Sequence, residues 1–218
     1  MTQTRAMDVT QSYHQIRFPY DKRRDAVWKA ICRYLQPWVA EREGLLELGA
    51  GYGDFSRHIR AEPKWALDQN VSLIEHWGDS VTPLIQSAME RLPLESGSLG
   101  TVFASNFFEH FTIEQASVVL LEASRVLRSG GRLIAVQPNF RLEPRRYFDD
   151  YTHRTAFTDN GFQDFLRALD WKIVHCEPRF LPFTMKSRLP TAEWLVRCYL
   201  AMPIRPLAGQ FLVVAEKA

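Results

Sequence analysis

The sequence has few cysteines, no long apolar run and little net charge. Its three cysteines, Cys32, Cys176 and Cys198, lie far apart. None forms a CxxC pair or has a histidine at zinc-ligand spacing, which argues against a disulfide framework and a structural zinc site. No stretch approaches the roughly 18 apolar residues of a membrane span, and the first residues show no apolar region of a secretory signal. These absences predict a soluble, cytoplasmic protein with no metal.

The net charge of the 218 residues is only +2, which is too small to indicate a nucleic-acid partner. The charge is unevenly distributed along the chain. Residues 1–40 carry 7 basic and 3 acidic side chains, residues 41–178 carry 14 and 20, and residues 179–218 carry 6 and 2. A mildly acidic body therefore has two basic ends.

The composition is that of a globular protein, with 46% hydrophobic and 24% charged residues and no repeat, and the length predicts one domain over residues 1–218. Predicted strands alternate with helices along most of the chain, which indicates an α/β fold with an open, mostly parallel sheet and helices on both faces. The clearest helix begins at Thr112, which can form a capping box with Gln115, and should end at Gly130–Gly131.

A glycine-rich turn follows the first predicted strand. It reads Glu47-Leu-Gly49-Ala50-Gly51-Tyr-Gly53, and Asp68 closes the next strand. Glycines let a ligand approach the backbone closely, and a carboxylate after the second strand can accept hydrogen bonds from two ribose hydroxyls. The pattern favours an adenosine-containing ligand over a plain tight turn. A nicotinamide-dependent oxidoreductase is the rival, but Glu47 and Asp54 depart from the dinucleotide fingerprint.

These residues resemble the signature of class I S-adenosylmethionine-dependent methyltransferases. The later segments RLPLESGSLGTVFASNFFEHF and LLEASRVLRSGGRLIAVQPN occur in the matching order and are similar to the branch that contains ubiquinone-biosynthesis-type small-molecule enzymes. The resemblance implies a Rossmann-like open sheet of seven strands, the last one antiparallel. It also implies S-adenosylmethionine as cofactor and methyl transfer as the reaction.

The resemblance implies which residues hold the cofactor. The glycine loop would lie against its methionine and ribose parts, and Asp68 would hold the ribose. Glu47 would act more indirectly, through the loop or the cofactor's amino group, and Asn106 would touch the methionine part. Ser87-Ala88-Met89 stands where the family usually has an acid before Ala, so the adenine contact there lacks its acid. The full predicted set is Glu47, Gly49, Ala50, Gly51, Gly53, Asp68, Gln69, Ala88, Met89 and Asn106. Two of these have a local alternative, Asp68 as a helix cap and Asn106 as a turn residue.

Two histidines near strand ends are candidates for a general base, which a hydroxyl acceptor would need. His153 lies in the aromatic and acidic loop after the fifth strand, where Asp150 could orient it, and His110 lies just after the fourth. A helix-capping role for His153 and a structural role for His110 are the alternatives. The catalytic prediction is His153 and His110 with Asp150.

The chain divides by role into predicted parts. Residues 1–40 form an N-terminal helical cover, 41–140 the cofactor-binding core, 141–160 the acceptor-loop region and 181–208 a lid inserted between the last two strands. The lid packs on the body or, with its apolar and basic residues, meets a membrane face. Because both basic ends should lie near the site, the acceptor is expected to be anionic.

The sequence predicts a methyltransferase that acts at oxygen on a small molecule or a glycan or lipid-linked conjugate, without a nucleic-acid partner. Methylation of RNA or protein, and a binding module without catalysis, are the alternatives.

Overall fold

The computed structural model describes residues 19–182 and 192–218. Seven strands form one sheet: β1 Leu45–Leu48, β2 Lys64–Leu67, β3 Val81–Leu84, β4 Leu99–Ser105, β5 Leu127–Pro138, β6 Trp171–Glu177 and β7 Gln210–Lys217. The α-helices are α1 Arg24–Leu35, α2 Asp54–His58, α3 Ile113–Val126, α4 Asp159–Arg167 and α5 Glu193–Ala201. Short 3₁₀ helices span Gln36–Trp38, Val71–His76, Phe108–His110 and Tyr147–Asp149.

The strand order is β3-β2-β1-β4-β5-β7-β6. The pairs among β3, β2, β1, β4 and β5 are parallel, and β7 is antiparallel to both β5 and β6. The predicted Rossmann-like fold with an antiparallel last strand is confirmed. Strand order reverses between β1 and β4, and ligands of such sheets bind at the carboxyl ends of the strands beside that reversal.

The helices cover both faces because the central strands are buried on both sides. One face packs against α3 and α4 through residues such as Leu120 and Phe162. The opposite face packs against α1, α2 and α5 through residues such as Ile31, Phe55 and Leu200. The central strands therefore form a fixed support for the turns at their carboxyl ends.

Helix α3 begins as predicted but ends earlier. Thr112 and Gln115 form the reciprocal capping box, which supplies partners for backbone amides of the first turn. The helix stops at Val126, four residues before Gly130. Gly130 and Gly131 instead lie within β5, where the pairing with β4 shifts register between Leu99 and Thr101. The glycines therefore belong to a strand irregularity rather than to the helix end.

Candidate active site

The turn after β1 passes close to two aromatic rings. Gly49 has φ +63°, and a Cβ atom there would lie 2.4 Å from Cδ2 of Phe107. Gly53 has φ +66°, and its Cβ would lie 2.5 Å from Cδ1 of Trp77. The indole nitrogen of Trp77 also donates to the carbonyl of Gly51 at 2.7 Å. Both glycines are thus required by left-handed backbone and by close packing, which hold this turn in one shape.

The carboxylate of Asp68 is tied to the same turn. Its Oδ2 accepts a hydrogen bond from the amide of Gly51 at 2.9 Å, and its Oδ1 accepts one from the amide of Asn70 at 2.9 Å. The second bond is the local contact expected if Asp68 acts as a helix cap, which is its alternative role. A carboxylate offers about four acceptor positions, so each oxygen can still accept a bond from a ligand hydroxyl. Gln69 is exposed beside it.

Glu47 lies beneath the turn and acts indirectly. It is buried, and its Oε2 accepts hydrogen bonds from both the backbone amide and the hydroxyl of Ser56 in α2. Burial raises the pKa of Glu47 to about 8. The side chain therefore joins β1 to the helix that follows the glycine turn.

The predicted adenine-side residues occupy two environments. Ala88 is buried in the apolar cluster that contains Leu48 and Leu67. Met89 is exposed and lines a surface groove with Val118 and Leu121 of α3. Ala88 therefore packs beside the ends of β1 and β2, whereas the Met89 side chain lies against α3.

The turn that begins at Asn106 is held by side chains from two other strands. Asn106 has φ +47°, and its Oδ1 accepts a hydrogen bond from Nε2 of Gln210 in β7 at 2.9 Å. Buried Gln137 of β5 accepts hydrogen bonds from the amides of Phe107 and Phe108. Neither glutamine was predicted from the sequence. Their signal was a polar residue within an otherwise apolar strand, which needs a hydrogen-bonding partner when buried.

A polar cluster lies directly after this turn and contains Glu109, His110 and His153. Their ligand-type atoms all lie within 4.8 Å of one another. Oε1 of Glu109 is 3.9 Å from Nε2 of His110 and 3.9 Å from Nε2 of His153, and the two imidazole rings are 5.1 Å apart. The loop of residues 141–160 is fastened here because the amides of Arg154 and Thr155 donate to the carbonyl of Glu109.

The two histidines were predicted from the sequence, but Glu109 was not. Both carboxyl oxygens of Glu109 are buried and have no hydrogen-bond partner within the described ranges. Burial raises the pKa of this carboxyl to about 8. Burial, and secondly the nearby His153, lower the pKa of His110 to about 4. The signal in the sequence was the acid immediately before His110.

Asp150 is linked to His110 through the hydroxyl of Thr152. Its Oδ1 accepts the hydroxyl proton of Thr152 at 2.6 Å, and the Thr152 oxygen lies 2.9 Å from Nδ1 of His110. The chain of hydrogen bonds therefore orients His110, and the orientation of His153 by Asp150 stays a prediction.

The sequence comparison agrees with this geometry. Residues 46–135, from β1 through most of β5, match the family described as a methyltransferase domain. Residues 46–135 thus match a methyltransferase domain, and the whole chain has the fold of solved S-adenosylmethionine-dependent methyltransferases. A solved S-adenosylmethionine-dependent methyltransferase from Archaeoglobus fulgidus superposes with a TM-score of 0.68 at 19% identity, covering 94% of this chain and 97% of that one.

Two curated relatives carry a more specific name. The sarcosine/dimethylglycine N-methyltransferase of Halorhodospira halochloris is 30% identical over 106 residues, which is 43% of this chain and 37% of that protein. The enzyme of the same name from Aphanothece halophytica is 28% identical over 120 residues, which is 50% of this chain and 42% of that protein. The chain thus matches less than half the length of these relatives.

S-adenosylmethionine is the cofactor that the matched methyltransferase domain implies, and the residues at the switch point fit it. The two Asp68 oxygens can accept bonds from a vicinal diol such as ribose. The glycine turn presents backbone without Cβ atoms beside that carboxylate. Asn106 lies at the end of β4, the strand next to β1 across the reversal. These predicted residues therefore lie together at one edge of the sheet.

The basic ends contribute less free charge than the sequence suggested. Arg24 forms a buried ion pair with Asp54, and Arg205 forms one with Glu177. The predicted lid has helix α5, which contacts α1 through buried Leu200 and leaves Trp194 64% exposed. Residues 1–18 and 183–191 lie outside the described residues, and with them Lys186 and Arg188.

No helix in the described part of the chain is both long and apolar enough to cross a membrane.

Proposed function

We propose that this chain is an S-adenosylmethionine-dependent methyltransferase that methylates a small-molecule acceptor at oxygen. The observation that carries the proposal is the position of the Glu109–His110–His153 cluster. It follows β4 directly, three residues after Asn106, at the edge of the sheet that holds the cofactor-binding residues. The cluster thus supplies proton-handling groups beside the methyl donor.

When bound, S-adenosylmethionine supplies a methyl group that forms an O–C bond with the acceptor as the S–C bond breaks and sulfur keeps the electron pair. The chain's residues divide the remaining work. Asp68 and the glycine turn orient the ribose and the methionine part, since positioning supplies much of the rate for an activated donor. The polar cluster promotes loss of the acceptor's hydroxyl proton, which ends in solvent.

An oxygen acceptor is favoured by the protonation states in the cluster. His110, with its pKa lowered to about 4, is neutral at neutral pH and can accept a hydrogen bond from the hydroxyl, although the lowered pKa makes it a weaker base than an ordinary histidine. A hydroxyl acceptor is a poor nucleophile until its proton leaves, so it benefits from such groups. The names of the two curated relatives favour a second candidate, methylation of an amine nitrogen.

The acceptor atom can be identified from the product. Purified protein is incubated with methyl-labelled S-adenosylmethionine and paired acceptors that differ only in carrying a hydroxyl or an amine, and products are read by mass spectrometry and NMR. We expect methyl ethers or esters. An N-methyl product from the amine series alone would replace the oxygen assignment with the second candidate. Binding of NAD without any binding of S-adenosylmethionine would overturn the whole proposal.

We also propose that the acceptor is carried on a lipid or a glycan conjugate. Support comes from the exposed apolar side chains of Trp194, Ile204 and Leu207 around α5, with exposed Arg197 on the same helix. Vesicles with anionic lipid should retain the wild type and lose the Trp194→Ala/Ile204→Ser variant. Val71→Ser, which removes an exposed apolar residue elsewhere, serves as control. Absence of vesicle binding by the wild type would remove the lipid part.

A further inference from the structure

Glu109 presents a physical problem that its protein neighbours do not solve. Its side chain is only 1% exposed, and neither oxygen has a hydrogen-bond partner among the described residues. A buried polar group without a partner destabilises the folded state, and a charged group does so more strongly. The Nε2 atoms of His110 and His153 each lie 3.9 Å from Oε1, beyond hydrogen-bonding distance. A group bound between these three side chains would supply the partner that this carboxyl lacks.

The spacing of the three residues fits a metal ion. With bonds of about 2.1 Å, two ligands of one ion lie about 3.0 Å apart at 90° and about 3.4 Å apart at 109°. The two observed separations of 3.9 Å need to close by about 0.5–0.9 Å around an ion of that size, and the ligand atoms of the two histidines lie within 4.8 Å of each other. Two imidazoles and one carboxylate are the donor set of many catalytic zinc and non-haem iron sites.

We propose that Glu109, His110 and His153 form a binding site for one divalent transition-metal ion. All three come from turns held in place by the fold. Glu109 and His110 lie in the 3₁₀ helix after β4, and His153 is brought to them by the hydrogen bonds from Arg154 and Thr155 to the carbonyl of Glu109.

Neighbouring groups favour ligation by orienting His110. The hydroxyl of Thr152 donates a hydrogen bond to Asp150. The Thr152 oxygen therefore accepts a hydrogen bond from Nδ1–H of His110. Nε2 is the ring atom that lies toward Glu109. Outer hydrogen bonds of this kind fix the tautomer and orientation of metal-binding histidines.

The exposure of the three ligands indicates where a bound ion would have an open coordination position. The side chains of Glu109 and His153 are 1% and 7% exposed, whereas that of His110 is 26% exposed. An open coordination position therefore lies on the side of His110, toward the end of β4. An acceptor hydroxyl bound there would lose its proton more readily, because a bound cation lowers the pKa of an oxygen ligand. This last step rests on the proposed function, whereas metal binding does not.

The test measures metal binding without cofactor or acceptor. Untagged protein is stripped with chelator, dialysed and titrated with Co²⁺ and with Zn²⁺. We expect one equivalent of Co²⁺ to give visible absorption bands and one equivalent of Zn²⁺ to raise the melting temperature. Glu109→Gln and His153→Ala should weaken the Co²⁺ affinity at least tenfold. His175→Ala removes a half-buried histidine that is paired with Glu177 outside the cluster, and it should bind Co²⁺ as the wild type does.

Folding of the variants is checked by the melting temperature without metal. Glu109→Gln removes a buried ionisable group, so the metal-free variant should melt no lower than the metal-free wild type. Absence of stoichiometric binding by the wild type, or equal binding by wild type, Glu109→Gln and His153→Ala, would overturn the metal site. Calorimetry with S-adenosylmethionine on the same samples separates this failure from failure of the proposed function. Full methyl transfer by the metal-free protein would show that the ion takes no part in acceptor activation. His153 would then be the candidate general base.

Discussion

The amide of Gly51 and the carboxylate of Asp68 are joined by a 2.9 Å hydrogen bond that links the turn after β1 to the end of β2. One residue thus fixes the shape of the loop and offers acceptor positions to the ligand. A neutral amide side chain can fill the first of these roles but not the second.

Asp68→Asn should therefore weaken S-adenosylmethionine binding with little loss of fold. The amide oxygen can still accept from Gly51, but the charge-assisted bonds to the ribose are lost. Such bonds contribute roughly 1.5–3 kcal/mol, or about tenfold to 150-fold in affinity. Calorimetric titration measures the change, with Asp79→Asn at an exposed acid as control. Equal affinity in both variants would contradict the ribose assignment.

Gly49→Ala tests the packing of the glycine turn. A Cβ atom at Gly49 meets Phe107 at 2.4 Å, whereas at Gly78, with φ +82°, it meets nothing within 4 Å. Both variants carry the cost of a left-handed alanine, about 1 kcal/mol. Gly49→Ala should lose about 1–3 kcal/mol more through overpacking, and should also lose cofactor affinity. Denaturant unfolding of the two variants measures the difference, and equal stability would contradict the close approach to Phe107.

Glu47 should make stability depend on pH. Its pKa is raised to about 8 by burial, against about 4.3 in an unfolded chain. Because the folded state favours the protonated form, the contribution of this group is fully present below about pH 4.3 and is lost as the pH rises toward 8. Glu47→Gln keeps an oxygen that accepts from Ser56 and removes this loss.

The measurement for Glu47 is the free energy of unfolding at pH 5, 6.5 and 8. The gain of Glu47→Gln over the wild type should increase with pH across this window. Glu75→Gln, at an exposed acid, should show no such trend. A gain that is constant with pH would mean that Glu47 ionises with an ordinary pKa.

Arg205 should be important for stability. It is paired with Glu177 and also donates to the carbonyl of Leu200 in α5. Removing one partner of a buried pair costs about 3–5 kcal/mol because the other charge is left without compensation. Arg205→Ala should thus destabilise the protein far more than Arg197→Ala at an exposed position. The double variant with Glu177→Ala should recover part of the loss, and thermal unfolding measures all three.

The sequence predicted those features that depend on nearby residues. The capping box at Thr112 spans four residues, and the glycine turn lies between two strands in succession, so both were visible as local patterns. The end of α3 was placed too late because Gly130–Gly131 resemble a helix terminus, whereas pairing with β4 draws this segment into the sheet.

The polar cluster could be predicted only in part. Glu109 is separated from His153 by more than forty residues, and its burial depends on the return of the loop after β5. No local pattern shows that both of its oxygens would lack partners. Similarly, the bond between Gln210 and Asn106 crosses 104 residues and follows from the position of β7 in the sheet.

The position of β7 between β5 and β6 also sets the order in which the molecule can be completed. During synthesis β6 leaves the ribosome before the strand that must separate it from β5. Until β7 arrives, both neighbours have an open edge, and Asn106 lacks the partner that holds its side chain. Contacts of such long range form slowly. The turn after β4 is synthesised early, but it can therefore reach its final form only when the last strand has been inserted.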